Sequence, residues 1–566
     1  MVLPQLGVYE RSLPPAMQRP TLAPLYYLTN FQSALGWISE RYGDLLGDPE
    51  QAFIAAFQQL PLPSQALLVR LVMRKGPLFL ASKLHYPEIG CIRSAAAPLT
   101  SLGWLDTKPE LSLPQLFQLL TRADLAQALP AGPAGQRKDA WLAELSPQYP
   151  EPRPLAAWHP TTSDTVYALQ VTPICERLRL MFFGNLHQDW SEFVLTDLGV
   201  FQYEKVPFSP HSRAFQHRQE IDDYLHLHDC RQRLHQGTAI TELLDAIPSQ
   251  PYGNPWLESR RARLLFQLAQ QCEADDVATA LAIYQRSSHP GARTRQVRLL
   301  ELQQQYATAF ALATAAQQQP ENDAELQQLA RILPRLARRL GQPKPAPAPA
   351  VPVPEQWLVL PPSESGQAVE LAVRDHLHRI DAPVHYVENT LLNGLFGLLF
   401  WPALYAPLPG AFFHPFQAAP ADLYRPDFQH RRAAICAQCF AELDSGSYRE
   451  TLRQRYQEKA GLQCPFIHWP WLTPDLLEQA LAAIPPQHLK LLFQRMLADL
   501  QANRTGLPDL IQFQAGHPGY RMIEVKGPGD KLQDNQKRWL TYCLAHSLPI
   551  SVCYVRWQAG SEAGAP

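Results

Sequence analysis

The chain has 566 residues, 46% of them apolar, which is long enough for several domains with their own cores and too apolar for a disordered scaffold. Its 50 basic and 52 acidic residues leave a formal charge of −2, so overall electrostatics do not drive nucleic-acid binding and any such surface is local. No run of ~18 uncharged apolar residues occurs, Met1-Val2-Leu3-Pro4 lacks a signal-peptide pattern, and nine scattered cysteines suit a reducing compartment; a soluble intracellular protein is expected.

Residues 1–107 read as a helical N-terminal region. Helical periodicity covers residues 20 to 60. Ser64 is then expected to cap a helix whose Leu67, Leu68, Leu71 and Val72 share one face, with Arg70, Arg74 and Lys75 on the other. These cations and Lys83 fit either a solvated face or a set of phosphate contacts. Residues 108–150 outline two short helices, one from Leu111 to Leu120 and one over Gly135–Leu142, separated by a Gly/Pro-rich turn. Arg137 and Lys138 stand where a helix N-terminus and two cations meet phosphate without reading bases; two amphipathic helices packed on a neighbour show the same pattern.

Residues 151–245 form a mixed connecting region, with Tyr167–Val171 and Leu178–Phe183 expected as strands and Gly184-Asn185 ending the second. His211, His217, His226, His228, His235 and Cys230 invite a metal. Their charged helical setting among Ile221, Tyr224, Leu225 and Leu227 reads instead as solvated or core positions. Residues 246–342 are helical and contain an echo: Ala280–Tyr284 before Pro290 recurs as Phe310–Ala313 before Pro320, similar to tetratricopeptide helical pairs. Arg260, Arg261, Arg263, Arg293, Arg295 and Arg298 fit a channel lining or solvated faces equally. Alternating Pro and Ala marks 343–356 as a semi-rigid linker, and residues 357–560 suit one α/β domain.

In that last unit, Leu510, Ile511 and Phe513 lead into the turn signal Gly516-His517-Pro518-Gly519, and Arg521–Lys526 resumes the apolar run as the second arm of a hairpin. Residues two apart on a strand share a face, so Glu524 and Lys526 project together while Val525 turns into the core. Asp509 opens the first arm. Two carboxylates ~4 Å apart repel by ~4 kcal/mol at an effective dielectric of about 20, so they stay ionised together only around a cation. Hard oxygen ligands favour Mg²⁺ or Mn²⁺, which polarises a phosphodiester and acidifies water, while Lys526 orients that water or stabilises a developing phosphorane. Upstream, Glu388 precedes an apolar helix, Leu391–Leu399, where an acid also serves as ordinary dipole compensation. Cys436, Cys439, Cys464 and His468 have zinc-ligand character, but the first two fall in a helical pattern and read as buried. A helix from Leu532 to His546 carrying Gln536 and a strand over Ile550–Val555 follow.

Gly506-Leu507-Pro508-Asp509-Leu510, Glu524-Val525-Lys526-Gly527-Pro528, Asp530, Leu532 and Gln536 together resemble the VRR-NUC nuclease domain, a PD-(D/E)XK branch, as found in the Fanconi-associated nuclease family. Arg74-Lys75-Gly76-Pro77, Lys83 and Tyr86–Ile89 resemble the family's DNA-binding N-terminal part, and residues 108–150 its SAP motif; Trp190–Leu195, Tyr203-Glu204 and Gln417–Leu423 also match, without a role. The resemblance implies a multidomain α protein with a C-terminal restriction-endonuclease-like α/β domain. It implies Mg²⁺ or Mn²⁺ held by Glu388, Asp509, Glu524 and the Val525 carbonyl, with Lys526 assisting and Gln536 bonding a ligand or the attacking water. Arg70, Arg74, Lys75, Lys83, Arg137 and Lys138 are then the expected DNA contacts.

The implied activity is structure-selective cleavage of 5′ flaps or branched DNA in repair, with a 5′–3′ exonuclease activity, in the cytoplasm and nucleoid of a bacterium or the nucleus of a eukaryote. Gln501 and Asn535 stand where family members carry basic contacts to a terminal phosphate, and nothing resembles the eukaryotic members' zinc finger, so a compact bacterial-type member is expected. Two rival readings are a non-catalytic DNA-binding repair scaffold and a four-way-junction resolvase, which standalone VRR-NUC domains resemble.

Overall fold

Prolines set the start of several helices in the first part of the chain. The computed structural model describes residues 24–129, 137–190, 201–343, 352–361, 367–514 and 519–558. Contacts divide it into two units, residues 1–202 with 216–221 and residues 203–215 with 222–566.

In the first unit, helices Tyr26–Tyr42 and Asp48–Gln59 follow the expected periodicity. Helix Leu62–Val72 begins at Pro61, with Pro63 in its first turn. Ser64 is therefore not its cap but a buried interior residue. Five short strands follow: β1 (Leu78–Leu80), β2 (Leu105–Asp106), β3 (Glu110–Leu111), β4 (Arg153–Pro154) and β5 (Val166–Leu169). β5 pairs antiparallel with both β1 and β2, so residues expected to be a connector supply the centre of the N-terminal sheet. The SAP-like segment holds three helices, Leu113–Leu119, Arg122–Ala128 and Lys138–Leu145, in place of the expected two. The unforeseen one starts at a reciprocal cap, Thr121 Oγ1 accepting from the Asp124 amide and Asp124 accepting from the Thr121 amide. The Gly/Pro turn lies outside the described residues.

The expected strand Leu178–Phe183 is the second half of a helix, Thr172–Phe183. Pro173 opens it and Gly184, at φ 68°, closes it. Burial on most sides explains the apolar run without a helical stripe. Trp190 packs on Phe31, Phe182 and Phe183, while the remainder of Trp190–Leu195 lies outside the described residues. At the centre of this unit a fully buried Glu50 pairs with Arg177 Nε at 2.5 Å and Arg218 Nη1 at 2.8 Å.

The second unit contains a stack of helices, Pro255–Cys272, Val277–Gln285, Ala292–Leu302, Tyr306–Gln318 and Asp323–Arg339, each packed on the next. The sequence echo falls in the second helix of two successive pairs, where Ala280, Ala309, Ala313 and Ala316 are buried and let backbones approach. Arg261, Arg293 and Arg295 are tied to Glu258, Glu325 and Glu273, and Arg260 lies over the rings of Tyr224 and Trp256. Those contacts hold the stack together, and Arg295 and Arg298 also line a groove on it. Among the histidines, His226 Nε2 meets the Ala246 carbonyl at 2.8 Å.

The C-terminal sheet comprises β6 (Glu355–Leu360), β7 (Val384–Tyr386), β8 (Leu510–Phe513), β9 (Tyr520–Lys526) and β10 (Ile550–Trp557), in the order β6-β10-β9-β8-β7. β6 begins at Glu355, inside the span expected to be linker. β10 runs parallel to β6 and β9, and β8 antiparallel to β7 and β9, as the hairpin predicts. Residues 515–518 of the expected turn lie outside the described residues. Helix Leu391–Leu399 is buried along its whole length, and Cys436 and Cys439 are buried in helix Ala433–Ser445. Asp422 is also structural, its carboxylate bridging both terminal nitrogens of buried Arg432 at 2.9 Å. Among the described residues no helix is long and apolar enough to cross a membrane.

Candidate active site

Register brings three chain segments together. Tyr386, the last residue of β7, faces Leu510, the first of β8, so the residues just beyond each meet: the Val387 amide donates to the Asp509 carbonyl at 2.8 Å. Leu510 in turn faces Ile523 of β9, and the Val525 amide donates to Asp509 Oδ2 at 2.8 Å. The approach to Asp509 requires Gly506. Its φ is +78°, and a Cβ there would lie 2.8 Å from Asn535 Cγ and 2.9 Å from the Asn535 carbonyl carbon.

Asp509, Glu524 and Lys526 are 5%, 1% and 8% exposed. Lys526 Nζ lies 2.7 Å from Glu524 Oε1, on one face of β9, while Val525 enters the core. That oxygen is buried and not aligned for a hydrogen bond. Glu388 is exposed, its Oε2 accepting from the Tyr386 hydroxyl at 2.5 Å and its Oε1 from Asn389 Nδ2 at 3.2 Å.

Burial holds the Asp509 carboxyl well above the ordinary aspartate range, and the charges of Glu524 and Glu388 add to it against the Val525 amide and Lys526. Burial likewise raises Glu524, which Lys526 opposes and Glu388 and Glu370 reinforce. Burial alone would lower Lys526, but Glu524, Asp509 and Asp530 keep it above the usual lysine value and so charged. Among the described residues no three acids, histidines or cysteines are drawn into a closed metal cage. The donor set nonetheless suits a hard dication: two buried carboxylates are disfavoured as anions and have one ammonium beside them.

Gln536 stands at the start of the helix that follows β9. Its Oε1 accepts from the Gln533 amide at 2.9 Å, capping helix Asp534–Ala545. Four residues at the site escaped the sequence reading. Tyr386 holds Glu388, two positions along the chain. Asn389, at φ 51°, accepts from the Leu507 amide at 3.3 Å and so ties two of the converging segments. Trp471, 43% exposed, stands with its ring 5.7 Å from that of Tyr386. Glu370, whose charge reaches Glu524, is placed by topology alone and gave no local signal.

The expected DNA contacts separate into three groups. Arg70 is committed internally, 2.5 Å from Glu88 and 3.8 Å over the Tyr27 ring. Arg74, Lys75 and Arg137 are exposed. Lys83 and Lys138 donate to the carbonyls of Leu119 and Leu120 at 2.6 and 2.8 Å, converging on the end of one helix; burial and Lys83 hold Lys138 below the usual lysine value.

Models of three families match the chain: the FAN1 HTH domain over residues 25–106, the Fanconi anemia-associated nuclease SAP domain over 110–158 and the VRR-NUC domain over 443–557. The chain is 54% identical to the Fanconi-associated nuclease 1 homolog of Pseudomonas aeruginosa, over 97% of this chain and 99% of that one. It is 24% identical to the Oryza sativa homolog, over 94% of this chain and 62% of that protein. A crystal structure of paFAN1 bound to 2-nucleotide 5′ flap DNA with a gap superimposes with a TM-score of 0.89 at 54% identity, over 96% of this chain and all 100% of that one. A second, with a 1-nucleotide flap, gives 0.87 at 55% identity, over 95% of this chain and 100% of that one. Helical DNA-binding front, SAP segment, nuclease sheet and near-complete coverage agree, and the chain belongs to the Fanconi-associated nuclease 1 family.

Proposed function

We propose that this protein hydrolyses DNA phosphodiesters at 5′ flaps, with Mg²⁺ or Mn²⁺ held by Asp509, Glu524, the Val525 carbonyl and Glu388. The observation that carries the chemistry is the buried Asp509–Glu524 pair with Lys526 beside it. A bound dication polarises the phosphodiester and lowers the pKa of water. Asp509 is fixed through Oδ2 by the Val525 amide, which leaves Oδ1 as a donor. Glu524 holds the ammonium of Lys526 at the same face, where a fixed positive charge favours the extra negative charge of the transition state. Glu388 joins by giving up the Tyr386 hydroxyl.

Selection of flaps is supported by the match to paFAN1, crystallised on gapped 5′ flap DNA. Arg74, Lys75, Arg137 and the Lys83–Lys138 pair supply backbone contacts that position a duplex without reading sequence. The test is single-turnover cleavage of an end-labelled 5′ flap by wild type and Asp509→Asn, with Mg²⁺, Mn²⁺ or chelator. Cleavage should require metal and fall by roughly 10²–10³ in the variant. Equal rates sink the mechanism, binding without any cleavage favours the scaffold, and paired symmetric nicks in a four-way junction favour the resolvase.

A further inference from the structure

Beside the nuclease sheet, the helix stack carries an arginine-lined groove that the cleavage chemistry does not use. Its volume is about 960 Å³, and Arg295, Arg298, Arg331, Arg335 and Arg339 line it around Tyr306. The cations form two rows. Arg331, Arg335 and Arg339 recur every fourth residue on helix Asp323–Arg339, about 6 Å apart along its axis. Arg295 and Arg298 face them from helix Ala292–Leu302. Some are pre-aimed by carboxylates: Arg335 Nε lies 2.6 Å from Glu301 Oε1, and Arg295 pairs with Glu273. Among the described residues Arg298 and Arg339 make no ion pair within 4.0 Å, although the charge of Arg298 reaches Glu273 and Arg339 lies 5.7 Å from the Tyr306 ring centre.

The lining also carries apolar and aromatic side chains among polar ones such as Gln304 and Gln328. Leu302 is 64% exposed, and Phe266, Tyr306 and Ile332 complete the floor. A duplex buries its bases within its own stack and offers only phosphates, so it would leave that floor uncovered. A single strand offers both, with phosphates for the arginine forks and base faces for the apolar floor. The groove also abuts the nuclease sheet's own helix, since Arg331 Nη2 is 2.7 Å from Asp534 Oδ1 at the start of the helix that follows β9.

We infer that this groove binds single-stranded DNA, its phosphates on the two arginine rows and its bases against Tyr306 and Leu302. This rests on the nuclease reading for the source of the strand, the unpaired arm of a flap. The experiment is fluorescence anisotropy of labelled oligo(dT) with the whole protein, wild type against Arg298→Glu/Arg339→Glu. Both side chains are exposed, and an unchanged unfolding midpoint confirms the fold. The expected result is about a tenfold loss of affinity, with the slope of log affinity against log salt shallower by about 1.4, for two contacts at ~0.7 each. An oligonucleotide carrying 5-iododeoxyuridine should crosslink to Tyr306 in the wild type.

Unchanged oligo(dT) affinity, or crosslinks confined to other segments, overturns the proposal. So does displacement of oligo(dT) by a poly-glutamate peptide at lower concentration than by unlabelled oligo(dT), which assigns the groove to an acidic protein. Flap cleavage by wild type is measured alongside: its absence defeats the nuclease reading while the oligo(dT) result still judges the groove.

Discussion

Replacing Gly506 by alanine tests whether backbone geometry three residues before Asp509 sets the activity. Two penalties add. An L side chain at φ +78° costs ~1–2 kcal/mol, and a Cβ 2.8–2.9 Å from Asn535 side-chain and backbone carbons forces a shift of the kind that costs ~1–3 kcal/mol in packed interiors. The sum, about 2–5 kcal/mol, leaves a typical domain folded. Because Asn535 backbone cannot retreat like a flexible side-chain tip, the Gly506–Asp509 segment is the part that moves. A displacement near 1 Å lowers turnover by about 10²-fold. Gly446→Ala is the matched control, with φ +84° but nothing within 4 Å of the added carbon and a position at the end of helix Ala433–Ser445. It should cost only the ~1–2 kcal/mol of strain and keep full turnover. Urea unfolding and flap cleavage at saturating DNA and metal read both variants. Equal losses in the two, or full turnover in Gly506→Ala, would refute the argument that close approach to Asn535 fixes Asp509.

The Glu50 triad should make the first unit acid-labile. Burial alone would raise its pKa, yet hydrogen bonds from Arg218 and Arg177 bring it below the ordinary glutamate value. Its contribution is therefore complete above that ordinary value and is lost as pH falls through the folded one. The stability gap between wild type and Glu50→Gln, about 3 kcal/mol at neutral pH, should shrink on acidification, and a gap independent of pH would contradict this reading. Among the basic residues, Arg74→Gln/Lys75→Gln should weaken duplex binding and lower its salt slope by about 1.8, whereas Arg70→Gln should lower stability and leave that slope unchanged. Salt-dependent binding isotherms separate the two, and an equal slope change for Arg70→Gln would place its guanidinium on DNA.

The hairpin of β8 and β9 was legible because its evidence is local: alternation at period two, a turn signal and an acid two residues from a lysine. The rest depended on partners distant in sequence. Leu178-Arg179-Leu180-Met181-Phe182-Phe183 carries no helical stripe because nearly every side of its helix is covered, and only Pro173 and Gly184 mark the ends. β5 could be read as a strand, but not as the centre of a sheet whose other members lie about sixty to ninety residues earlier. Lys83 and Lys138 looked alike as phosphate contacts, and nothing nearby in sequence showed that both would reach the same helix end. Arg70 likewise gave no sign that Glu88 and Tyr27 would claim it.

Glu204, which carried no role in the sequence, accepts from Trp401 Nε1 at 2.8 Å and from Lys459 at 2.7 Å, fastening residues 203–215 to the second unit before the chain returns to the first at 216. The polypeptide thus passes from one unit to the other after residues 202, 215 and 221. No single scission of the backbone frees an intact half. Each unit is therefore assembled from two separate stretches of sequence.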